Sequence, residues 1–238
     1  MTTIAHVHSA RMTALALLSF TLAACDRTTA PGPSAPVQFR MGASANSTGA
    51  RAGVLTSRGP LVVTSVQLLV GRAALGDGAE FGCRDCEGNF VDDQGVATLV
   101  SLPDGGGAVQ VVTEQVGAGR YGQAEVALLA ALLGAAVTLS GAPAGTTVRV
   151  AGTYNGAPFQ IDLAIAGAFR AALVPPLSVA ADATPAAVAL TLRLPVDTWF
   201  STADRALDPT NAADRSTLET NIRASFVATE VEMGTPES

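Results

Sequence analysis

Cys83-Arg84-Asp85-Cys86 is the stretch whose residue types and spacing come nearest to a chemistry. Two thiols with two residues between them can cycle between dithiol and disulfide, which is redox work. In an oxidising compartment the same pair closes a small loop as a structural disulfide. No thioredoxin-like β-α-β pattern surrounds the pair, and no histidine follows Cys86 to signal haem attachment. A single C-x-x-C supplies only half of a four-cysteine zinc site. We read Cys83 and Cys86 as a structural disulfide, with a redox pair, free thiols or weak metal binding as the alternatives. A loop this small gains modest entropy from closure, so such a bond would chiefly shape the loop.

Carboxylates form the second group with chemical potential. Asp85, Glu87, Asp92 and Asp93 surround the cysteines, and Asp197, Asp204, Asp208 and Asp214 follow later in the chain. Either set could offer oxygen ligands to calcium. Neither fits an EF-hand loop or the glycine-aspartate repeat of calcium β-rolls. Solvated loops and helix caps account for them more simply, so no metal is assigned; Asp85, Glu87, Asp92 and Asp93 are weak calcium candidates. A carboxylate pair can also hydrolyse glycosides, but no spacing here singles one out. Sugar-stacking surfaces are scarce, with one tryptophan and two tyrosines in the chain. Trp199 and Phe200 are the one aromatic couple, a weak ligand candidate that reads more readily as a plug over the end of a core.

The composition excludes more than it suggests. The chain has no lysine, and both histidines, His6 and His8, lie in its first 24 residues. If that segment is removed, Ser-His-Asp and Cys-His catalysis, histidine metal sites and lysine Schiff bases are all excluded. We therefore expect a non-enzymatic protein with no cofactor. The net charge is −6, and the arginines are scattered singly. Phosphate backbones are gripped by clustered cations, so nucleic acid is not an expected partner. The same scatter argues against an electrostatic grip on anionic lipid.

These residues must be positioned by strands. Low charge content, 24 glycines and 13 prolines suit a β domain with many turns. Leu61 to Val70 is rich in β-branched residues and reads as a strand, as do Val96 to Leu102 and Val109 to Val116. A glycine turn and Tyr121 lead into another strand, Gln123 to Leu128. Asn155-Gly156 is the preferred two-residue hairpin turn, here between Val148–Tyr154 and Ala157–Ile165. That turn sets Val150 against Ile161, Val148 against Leu163, and Arg149 against Asp162. A one-residue slip would break both the apolar and the charged matches, so the register is well specified. Ala168 to Val174 and Ala186 to Leu194 are two further strands, the second alternating as a half-buried strand does. Near the C-terminus, Leu218, Ile222 and Phe226 recur at helical spacing. Asn211 is placed to cap that helix with Asp214 near its positive end, and Glu219 and Arg223 fall at i, i+4. The run Val126 to Leu139 is ambiguous: strand to Leu129, then a short helix or irregular cover.

Leu22-Ala23-Ala24-Cys25 closes an apolar run, Met12 to Ala24, that follows Arg11. The run is too short for a membrane-spanning helix. Small residues before a cysteine at this place resemble the lipobox of bacterial lipoproteins, in which the chain is cut before the cysteine and the cysteine carries lipid. An ordinary secretory signal is the alternative. The resemblance implies Cys25 as the lipidation site, a membrane partner through that lipid, and a place in the cell envelope on the extracytoplasmic side of the inner or outer membrane. It also leaves Cys83 and Cys86 as the two remaining thiols. Asp26 resembles the inner-membrane retention residue of enterobacterial lipoproteins.

Further points of contact are the Ser65-Val66-Gln67-Leu68-Leu69-Val70 strand, the turn at Gly119 to Tyr121, Thr153-Tyr154-Asn155-Gly156, and Asp197-Thr198-Trp199-Phe200 before the terminal helix. Together these resemble an uncharacterised family of bacterial envelope lipoproteins. That resemblance implies an immunoglobulin-like or transthyretin-like antiparallel β-sandwich and brings no catalytic residues. The expected organisation is a signal peptide over 1–24, a flexible tether over 25–58, a mostly β sandwich over 59–230 with one C-terminal α-helix at 211–226, and a disordered tail over 231–238. The expected role is binding or structural, with an envelope protein or glycan as partner. A carboxylate- or calcium-dependent hydrolase and a redox lipoprotein are the alternatives.

Overall fold

The computed structural model describes residues 34–44, 56–76, 97–103, 107–129, 139–180, 188–227 and 230–234. All of them belong to the unit Pro31–Ser238. In chain order they form β1 (Ser34–Ala43), β2 (Thr56–Arg58), β3 (Leu61–Gly76), β4 (Thr98–Ser101), β5 (Ala108–Gly117), β6 (Gly119–Leu128), β7 (Val148–Tyr154), β8 (Ala157–Leu163), β9 (Gly167–Val179), β10 (Val188–Leu194), α1 (Arg215–Val227) and β11 (Glu230–Gly234). Short 3₁₀ turns occupy Val196–Thr198 and Ala212–Asp214.

The molecule is mostly β, a sandwich of two sheets with one C-terminal helix. The smaller sheet has the order β11-β10-β1-β5, and the larger follows the path β8-β7-β3-β6-β9, with β2 and β4 also on β3. Alternating side chains of both sheets meet in one core. Val37, Phe39 and Met41 of β1 join Val63, Val66 and Leu68 of β3 and the apolar stripe of α1 in a single buried cluster. Every strand pair is antiparallel among the described residues except β1 with β10, where Val37 to Ala43 run parallel to Val188 to Leu194. The expected antiparallel sandwich is found, with this one parallel pair inside it. That pair unites two strands about 150 residues apart in sequence, which no hairpin turn could announce.

Two boundaries also move. Residues 34–43, placed in the flexible tether, are a strand between β10 and β5, with Val37, Phe39 and Met41 fully buried. The surrounding Pro, Ser and Gly masked a short apolar alternation, Val37-x-Phe39-x-Met41, which is all a strand needs on one face. Thr56–Arg58, also placed in the tether, pairs with β3. Likewise residues 231–234, placed in the tail, belong to β11, which adds to the edge of β10 with Leu192 opposite Val231 and Arg193 bonded to Glu232 at 2.8 Å. The partner strand supplies order that Glu230 to Gly234 would not have alone.

β3 organises the larger sheet. Leu68 lies opposite both Val100 of β4 and Val148 of β7, and Val70 opposite both Thr98 of β4 and Leu128 of β6. Hence β7 and β6 follow one another along one edge of β3 while β4 lies on the other. One irregularity, at Val63/Ser65, falls within the β7 pairing, and a second, at Val70/Arg72, coincides with the change from β7 to β6. Gly152 faces the first of these: a Cβ there would stand 2.0 Å from the Val62 carbonyl oxygen. The hairpin takes the register read from its turn, with Val150 opposite Ile161, Val148 opposite Leu163 and Arg149 opposite Asp162. Asn155 and Gly156 have φ of 52° and 79°, both left-handed, as a type I′ turn requires.

Candidate functional site

The segment between β10 and α1 gathers most of the singled-out residues that the structure describes. β10 ends at Leu194, and Pro195 opens a 3₁₀ turn that carries Asp197 and delivers Trp199 and Phe200 inward. Their side chains are 0% and 1% exposed. Phe159 of β8 meets Phe200 edge-on at 6.1 Å between ring centres. A stacked ligand needs an open ring face. These two rings have none to give, and they close the end of the core.

Asn221 of α1 holds this turn in place. Its Nδ2 donates to the carbonyls of Trp199 at 3.0 Å and Ser201 at 2.9 Å. Behind that bond lies a groove of about 290 Å³ lined by Pro195, Thr198, Ser201, Asn221, Ala224 and Ser225. Thr198 Oγ1 donates to Pro195 O at 2.8 Å, and Ser225 Oγ to Ile222 O at 2.6 Å. The lining contains no acid, base or cation. It offers shape and short hydroxyls, which suit contact more than bond breaking.

The late carboxylates divide by role. Asp214 is 2% exposed and receives both terminal nitrogens of the Arg205 guanidinium, with Nη1 to Oδ2 at 2.8 Å. Asp208 N–H adds a third bond at 2.9 Å. The guanidinium hydrogen bonds, then the backbone one, hold the Asp214 carboxyl down to about 2. Asp208 itself accepts from Thr210 N at 2.8 Å and Thr210 Oγ1 at 2.6 Å, a local turn closed by its own side chain. Asn211 Oδ1 accepts from Ala213 N at 3.0 Å at the helix entry. Asp204 is exposed, whereas Asp197 Oδ1 and Trp199 Nε1 are buried without a hydrogen-bond partner. No group of three or more histidine, cysteine, aspartate or glutamate side chains is placed to hold a metal among the described residues.

The helix surface differs in one pairing from its sequence reading. Glu219 pairs with Arg215 one turn back at 3.5 Å, not with Arg223. Arg223 instead donates to the Ala166 carbonyl at 2.9 Å, because α1 packs beside β9. Leu218, Ile222 and Phe226 face the core, and Phe226 stacks on Phe169 at 4.7 Å.

One charged residue was not singled out by its motif. Glu125 of β6 is 3% exposed and bonds Arg170 at 2.9 Å and Arg72 at 3.6 Å. Its neighbours Ala124 and Val126 belong to the core cluster, so it stands on the sheet's other face. Arg170 lies directly opposite it across β6 and β9. That partnership depends on a register between strands 45 residues apart, which no local pattern encodes.

Cys25, the cysteines Cys83 and Cys86, and the carboxylates Asp85, Glu87, Asp92 and Asp93 all lie outside the described residues, as does 130–138. No helix among the described residues is long and apolar enough to cross a membrane. No family model, curated protein or solved structure matches this chain.

Proposed function

We propose that this chain is a lipid-anchored extracytoplasmic β-sandwich with a non-enzymatic binding or structural role in the cell envelope. The observation that carries the reading is Leu22-Ala23-Ala24-Cys25 behind a short apolar run with Arg11 ahead of it. The use made of the described polar groups supports it. Arg205 with Asp214, Arg149 with Asp162, and Glu125 with its two arginines are spent on holding strands and loops together. The groove beside α1 is lined by small neutral groups suited to contact. A protein or glycan of the envelope is the matching class of partner.

The test is expression of the full chain in a bacterium that processes lipoproteins, followed by mass spectrometry and membrane fractionation. The reading requires an N-terminal peptide beginning at Cys25 with a diacylglyceryl mass, and loss of membrane association in Cys25→Ala. An unprocessed leader on a soluble product overturns it.

A further inference from the structure

We infer that the end of the sandwich where β1 begins is the face turned to a lipid bilayer. The inference rests on the proposed anchor at Cys25 and adds an orientation to it. β1 begins at Ser34, nine residues after Cys25. A chain of that length spans at most about 30 Å in any conformation. A tether reaching residue 58 would let the domain sample the bilayer with every face. Because β1 is a buried inner strand, the leash stops at Ser34 instead.

Strand pairing identifies what surrounds that point. Ser34 lies opposite Gly117, where β5 ends, and Gly119 and Arg120 opposite Val179 and Ser178, where β9 ends. The turn Gly117-Ala118-Gly119 therefore sits beside the point of attachment. Ser34, Ala118, Gly119, Arg120, Ser178 and Ala180 are exposed there. Arg120 is the one charged residue of this exposed set. A span of at most about 30 Å to the lipid keeps this end of the domain nearer the bilayer than the opposite end. The hairpin turn at Asn155-Gly156 is at the other extreme. Tyr154 pairs with Leu61 at the start of β3, whereas Gln123 of β6 pairs with Gly76 at its end.

The experiment uses the full lipidated chain in vesicles of phosphatidylethanolamine and phosphatidylglycerol. A photoreactive benzoylphenylalanine replaces either Ala118 or Ala157, both exposed. Illumination should give lipid adducts at position 118 at least tenfold above those at 157. Inserting twenty glycine and serine residues after Ala30 should collapse that ratio toward one. Equal adducts at both positions, or a ratio unmoved by the insertion, on protein whose Cys25 carries lipid, overturns the orientation and leaves the anchor standing. A Cys25 without lipid overturns both.

Discussion

At the scale of single residues, Asp214 shows how far the chemistry of this protein is turned to architecture. A carboxylate at 2% exposure would carry a large desolvation cost if alone. Here three donors from Arg205 and Asp208 surround it and favour its ionised form. They also join the loop after β10 to the start of α1. The folded value of about 2 lies below the ordinary 3.8. As pH falls, the unfolded chain therefore takes up the proton first. The stabilisation is complete above about pH 4 and is lost between about 4 and 2. Asp214→Asn should melt below the parent protein at pH 7, and the gap should shrink as melts are repeated toward pH 2.5. An unchanged gap at pH 2.5 would mean that Asp214 contributes shape and not charge. Asp214 was legible in the sequence as a residue near a helix start, because capping is local. Its partner was not, since Arg205 reaches it through a loop whose path no short motif fixes.

At the scale of elements, legibility follows the range of the forces involved. The β7–β8 hairpin was readable to the residue because one turn, Asn155-Gly156, sets its register and both faces agree with it. The stripe Leu218, Ile222 and Phe226 was readable because helical periodicity lies within the segment. β1 was hidden because its order comes from strands far away in sequence, and its flanks look like linker. Those distant contacts make it the most informative element to perturb. Phe39 is fully buried in the cluster shared by both sheets. Phe39→Ala leaves a cavity between them and should cost about 3–5 kcal/mol. A tether residue would change stability by less than about 0.5 kcal/mol. Urea denaturation of the two proteins separates these outcomes, and a value near zero would remove β1 from the core. The candidate site was legible to the same degree: Trp199 and Phe200 were identified as a plug or a shelf, and only their burial decides between the two.

At the scale of the whole molecule, the first and last described strands lie in one sheet. β1 lies between β5 and β10, and β11 completes the same sheet from the C-terminal side. The sheet cannot be assembled until strands about 150 residues apart in sequence have met. The larger sheet contributes the opposite wall of the same buried cluster. Among the described residues the larger sheet keeps only a small cluster of its own, Leu69, Ala97 and Leu139, so unfolding should be a single transition despite the length of the chain. Trp199 provides a local reporter, being the one tryptophan, fully buried, with its carbonyl bonded to Asn221 of α1. Its fluorescence follows the junction of β10, the smaller sheet and the helix. Far-ultraviolet circular dichroism is weighted instead toward the seven strands of the larger sheet. The two signals should share one midpoint and one slope in urea. If fluorescence is lost at a lower urea concentration than ellipticity, the smaller sheet and helix unfold first, and the single core divides into two.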